Sequence, residues 1–113
     1  MYDSIRYNAN NELINATFDD DIVTDAFPST HFTKIGVHII WTTLTGTVNA
    51  TVAVQGSNNG LQWDNLATAV TLSGTTGNDL VLLDNLYSAY YRIVATKNTV
   101  TGGNLTVIAT LKE

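Results

Sequence analysis

Residues 50–66 read ATVAVQGSNNGLQWDNL. Val52 and Val54 alternate with Thr51, Ala53 and Gln55, the period of two that a half-buried strand requires. Ser57-Asn58-Asn59-Gly60 interrupts the pattern. Gly60 takes positive φ without steric cost and Asn59 tolerates it, so a tight hairpin turn is expected there. Beyond it, Leu61, Trp63 and Asn65 fall on one face of a second strand. Trp63 is expected to anchor the core beneath its own hairpin; the alternative is an exposed stacking platform for a sugar. A strand–turn–strand unit cannot bury its apolar face alone, so further strands are expected on both sides of it.

They are found along the whole chain. Residues 34–43 carry Ile35, Val37, Ile39 and Trp41 on one face and Gly36, His38, Ile40 and Thr42 on the other. Residues 89–96 (AYYRIVAT) place Tyr91, Ile93 and Ala95 opposite Tyr90, Arg92, Val94 and Thr96. Leu105, Val107, Ala109 and Leu111 form a last inward set, with Ile108 outward. Shorter strands are expected over residues 13–18, 67–72 and 80–83. Gly102-Gly103 is expected to close the hairpin before the last strand, and the Gly-rich stretch 73–79 is expected to form a long turn. Pro28, the only proline, marks a loop or sheet edge, with Phe27 and Phe32 plugging the end of the core. No segment holds a 3.6-residue period over ten residues. About seven to nine short strands with regular turn signals predict an all-β fold, a single antiparallel β-sandwich or jelly-roll-like domain. The expected core is Phe18, Ile35, Val37, Ile39, Trp41, Val52 and Val54, with Trp63, Leu82, Tyr91, Ile93, Leu105, Val107 and Leu111. The domain spans residues 13–113. Residues 1–12 read as an N-terminal arm, either loose or docked on a neighbour through Tyr2, Ile5 and Tyr7.

Composition narrows the functional classes. The 113 residues contain five Lys and Arg against ten Asp and Glu, a net charge of −5. The basic residues are scattered, which argues against phosphate neutralisation and so against a nucleic-acid partner. Charged residues make up only 13% of the chain, about half the usual share of ~25%. Thr and Asn fill the polar positions instead, leaving a surface suited to packing against protein. No apolar run approaches the ~18 residues of a membrane-spanning helix, and no signal core stands at the N-terminus. Cysteine is absent, which removes disulfides, thiol nucleophiles and Cys-based metal sites together.

Candidate chemistry is sparse. Asp19, Asp20, Asp21 and Asp25 could ligate calcium, but the ligand order of an EF-hand is missing, and a solvated acidic turn is the preferred reading. His31 and His38 have no partner at a ligand-like spacing. Ser29, Ser57 and Ser73 lack the setting of a nucleophile, and no paired carboxylates with separated environments are evident. The expectation is a non-enzymatic protein without cofactor. Asp64 or Asp84 opposite His38 in a deep cleft would reverse it. Asn15, Asn49 and Asn104 each head an Asn-x-Thr sequon, a frequent coincidence in a chain so rich in Asn and Thr.

Gln55-Gly56-Ser57-Asn58-Asn59-Gly60-Leu61-Gln62-Trp63, followed by Tyr91-Arg92-Ile93, Gly103-Asn104-Leu105-Thr106-Val107 and Lys112, resembles small β-sandwich proteins of tailed-phage virions. These include capsid decoration and tail- or fibre-associated proteins, and the resemblance covers about residues 48–112. It implies a virion structural protein packed against major capsid or other virion subunits and against itself, a trimer being the expected oligomer. The outward Ile40 and Ile108, with Tyr2, Ile5 and Tyr7, are the candidate interface. The hairpin and the Tyr-Tyr-Arg-Ile strand also resemble discoidin-type sandwiches. From these only the sandwich is carried over. A carbohydrate-binding module is the alternative function, with Asn58, Asn59, Tyr87 and Tyr90 as candidate glycan contacts.

Overall fold

The computed structural model describes residues 9–30, 32–84 and 88–112, with side chains from Glu12 onward. Tyr2, Ile5, Tyr7, His31 and Tyr87 therefore lie outside the described residues. The chain is all-β: ten strands among the described residues form two antiparallel sheets packed face to face. Sheet A contains β1 (Ala9–Thr17), β10 (Val100–Lys112), β4 (Lys34–Gly46) and β8 (Gly77–Leu83), in that spatial order. Sheet B is built on β5 (Thr51–Ser57) and β9 (Tyr90–Thr96), flanked by the two-residue strands β2 (Ile22–Val23), β3 (Phe27–Pro28), β6 (Asp64–Asn65) and β7 (Val70–Thr71).

Alternation does the sorting. On β4 the odd-numbered Ile35, Val37, Ile39 and Trp41 are buried; on β10 Leu105, Val107, Ala109 and Leu111 are buried beside them. Sheet B answers with Val52, Val54, Tyr91, Ile93 and Ala95. Phe18 closes the core at one end, where its N–H donates to the Gly103 carbonyl at 2.9 Å. Phe27 and Phe32 pack against the core from its rim.

Five expectations are corrected. Strand β1 starts at Ala9 rather than near Leu13, because β10 continues far enough to pair Ala9 with Leu111. No tight hairpin forms at residues 57–60. Gly56 pairs with Asp64, so residues 57–63 make a wider loop held by side chains. Within it, Ser57 Oγ accepts the N–H groups of Gly60 (2.8 Å) and Asn59 (3.3 Å), while Asn59 Oδ1 accepts those of Leu61 and Gln62. Trp63 is consequently half-buried at the edge of sheet B and is no part of the core. Leu82 also leaves the core: it pairs with Gly36 on the outward register of sheet A and is 69% exposed. Finally, Gly102-Gly103 lies inside β10, not in the turn before it. The turn is made by residues 97–99, with Asn98 at φ 53°.

Gly103 marks an irregularity where β10 crosses β4. Register shifts flank Gly102 in the β10–β4 ladder. Gly103 has φ 100°, and a Cβ there would lie 2.5 Å from the Thr43 carbonyl oxygen and 2.6 Å from Leu44 Cα. Facing it, Thr43 adopts φ 54°, a conformation a β-branched residue avoids unless its surroundings impose it. Thr76 Oγ1 accepts the Thr43 N–H at 3.0 Å, and the Thr75 carbonyl accepts that of Leu44 at 2.8 Å. The bulge lets Leu44 turn inward, where it is buried.

Candidate interaction face

The outer face of sheet A carries an apolar patch in register across three strands. Ile108 on β10 pairs with His38 on β4, which pairs with Leu80 on β8. One step along, Thr110, Gly36 and Leu82 form the next row. One step the other way lie Thr106, Ile40 and Asn78. Leu80 is 53% exposed and Leu82 is 69% exposed, while Ile40 and Ile108 are half-buried by their neighbours. Gly36 leaves a gap in this surface, and around it opens a shallow groove of about 550 Å³ that reaches Lys34 and Lys112. Those two lysines are direct cross-strand partners. Neither ammonium has an ion-pair partner among the described residues. Like charges held opposite each other destabilise a ladder unless an anion neutralises them.

The candidate residues Ile40 and Ile108 therefore meet on one face, with His38 between them. Leu80 and Leu82, the most exposed apolar residues of that face, were not singled out as contact residues in the sequence. The four-residue run 80–83 gives no period, and only the pairing with β4 tells which two of its side chains point out. On β8 the Leu80 N–H donates to Asp79 Oδ1 at 2.9 Å, which takes one backbone donor away from pairing with a further strand.

His38 and Asp84 line the same open groove, but the hydrogen-bond partner of His38 Nε2 is Asn78 Oδ1, 3.2 Å away. Asp64 lies on sheet B, remote from it. The acidic turn is tied to backbone N–H groups: Asp20 Oδ1 accepts that of Asp21, and Asp21 Oδ1 accepts that of Lys97 just beyond β9, both at 2.9 Å. Asp25 follows β2 rather than joining that turn. No group of three or more His, Asp or Glu side chains among the described residues is placed to hold a metal ion.

The glycan candidates are largely committed to the fold. Asn58 Oδ1 accepts the Ala89 N–H at 3.0 Å, and Asn59 holds its own loop. Tyr90 is exposed at its strand end. Beside Asn58 lies a depression of about 280 Å³ lined also by Ser29, Thr30 and Thr33. Trp63 does not offer a free ring: Arg92 Cζ stands 4.4 Å from its centroid, and Arg92 Nε donates to Gln55 Oε1 at 2.9 Å. The guanidinium is thus held twice, by the indole face and by the Gln55 side-chain carbonyl.

These features define a two-sheet antiparallel β-sandwich with one apolar outer face. No family model matches the chain, and no curated protein matches it in sequence. Among solved structures it is similar to the SPBc2 prophage-derived protein YomS, with a TM-score of 0.63 and 11% identity over 94% of this chain and 93% of that one. It is also similar to PirA, at TM-score 0.52 and 15% identity over 89% and 91% of the two chains. A third likeness is to the K1 cleaved adhesin domain of Lys-gingipain from Porphyromonas gingivalis W83, at TM-score 0.51 and 14% identity over 81% of this chain and 62% of that one. At these identities the likeness is one of fold.

Proposed function

We propose that this chain is a non-enzymatic structural protein of a bacteriophage virion, an accessory or decoration subunit that packs against its neighbours through the outer face of sheet A. The observation that carries the proposal is the exposed Leu80 and Leu82 beside Ile40 and Ile108 on the outer face of one sheet. Exposed contiguous apolar surface of this kind marks protein contacts. Support for the virion comes from the likeness to a prophage-derived protein. Quantitative mass spectrometry of purified virions from an induced lysate tests it: a fixed copy number per particle is expected, and absence from gradient-purified particles sinks the proposal.

A second reading, glycan binding, draws on the small depression where Phe32 lies among Ser29, Thr30, Thr33 and Asn58, on the exposed Tyr90, and on the likeness to an adhesin domain. A glycan array would show hits that Asn58→Ala abolishes; a blank array removes this reading.

A further inference from the structure

We infer that Arg92 and the side chains that hold it, on the outer face of sheet B, form a binding site for the carboxylate of an acidic sugar. The inference rests on the glycan-binding reading and deepens it, naming the class of glycan and the side chain that takes its charge.

The site is a row of side chains across three strands. Arg92 on β9 pairs with Gln55 on β5, and Gln55 pairs with Asn65 on β6. Gln55 Nε2 donates to Asn65 Oδ1 at 3.0 Å, which leaves Gln55 Oε1 turned towards Arg92 Nε, 2.9 Å away. The Trp63 indole lies against the guanidinium, with Cζ 4.4 Å from the ring centroid. Position and plane of the guanidinium are therefore set by neutral groups, without an anion. Its two Nη groups, a pair of donors that matches the two oxygens of a carboxylate, have no hydrogen-bond acceptor and no ion-pair partner among the described residues. Asp25 and Asp64 stand on adjoining segments, are exposed, and form no ion pair with it. A half-buried cation that is already oriented binds a planar anion with little further loss of side-chain freedom.

The neighbours favour a sugar over a protein carboxylate. Tyr90 lies two residues from Arg92 on the same face, about 7 Å along the strand, and is exposed. Of the Asn65 side chain only Oδ1 is engaged among the described residues, so its amide N–H groups remain available. A hydroxyl and an amide beside a guanidinium match a carboxylate set among ring hydroxyls. Among the described residues the strands of sheet B expose only Val23 and Tyr90 as large apolar side chains, with Leu61 in the loop 57–63. That is too little apolar surface to keep water out of a protein contact centred on Arg92.

Nuclear magnetic resonance titration of the isotope-labelled full chain tests the inference. The probes are the methyl glycosides of glucuronic acid and N-acetylneuraminic acid, with methyl glucoside as the neutral counterpart. The Arg92 Nε–H and Trp63 indole N–H signals should shift saturably with the acidic glycosides, at a dissociation constant roughly tenfold or more below that of the neutral one. Arg92→Lys keeps the charge and removes the fork, and should weaken acidic binding roughly tenfold. Gln55→Leu leaves the charge in place but frees the guanidinium to turn, and should weaken binding several-fold; it carries the test if the lysine variant fails to fold. No shift at Arg92, equal binding of acidic and neutral glycosides, or acidic binding indifferent to both variants overturns the inference. A glutamate-rich peptide that binds at Arg92 more tightly than either acidic glycoside assigns the site to a protein partner and overturns it too. Array hits confined to neutral glycans overturn it while leaving the glycan reading standing. Acidic hits lost with Arg92→Lys but kept with Asn58→Ala uphold it and remove the Asn58 depression from the site.

Discussion

Tyr91 packs against Phe27 with ring centroids 5.4 Å apart and planes inclined by 32°. Burial pushes its phenol up to about 12 from an ordinary value of 10.0. In the unfolded chain the hydroxyl ionises near 10, so the folded state loses relative stability as pH rises from about 10 towards 12 and gains nothing from this group below that window. Tyr91→Phe keeps the ring and removes the titration. Thermal melts between pH 9 and 12 should therefore show a shallower alkaline decline for the variant than for the parent. The burial of Tyr91 could be read from sequence, because strict alternation over residues 89–96 admits one inward set. Trp63 could not. Its face was counted from a tight turn at residues 57–60, and the wider loop held by Ser57 and Asn59 shifts every position after it. Once at the edge, the indole is covered by Arg92, a contact between residues far apart in sequence that no local pattern encodes.

At the scale of elements, the pairing of β4 with β10 is the critical joint. Gly103 sits against the backbone of Thr43 and Leu44 at a positive φ, so a methyl group there meets peptide atoms that cannot rotate away. Gly103→Ala should cost about 2–4 kcal/mol in urea denaturation. Thr43→Gly, which relieves the φ of 54° on the facing strand, should leave stability unchanged or raise it. The sequence shows two glycines and no more. Turn chemistry and bulge chemistry use the same residue, so Gly102-Gly103 reads as a hairpin until the register with β4 is known. The long alternating strands were legible because burial on one face imposes a period of two. The two-residue strands of sheet B were not, since their pairing with β5 and β9 is set by tertiary contact. The same limit applies to the apolar outer face. Ile40 and Ile108 stand out of an alternation, whereas Leu80 and Leu82 sit in an unbroken apolar run.

For the whole molecule, the decisive fact is order. Sheet A runs β1, β10, β4, β8, so two of its three ladders depend on β10, the last of the described strands. Such distant pairings make folding slow for the size, on the order of milliseconds to seconds. A chain stopped at residue 99 lacks both of these ladders and keeps only the pairing of β4 with β8. It should show no protected amides in β1 by hydrogen exchange, and in β4 only those that pair with β8; protection of β1 would refute this account. The same order has a consequence for biosynthesis. While the ribosome is still making residues 100–112, β1 has no strand to lie against and β4 has only its β8 side. The apolar inner faces of both stay open to chaperones, and to other nascent chains, until the final strand emerges and closes the sheet in one step.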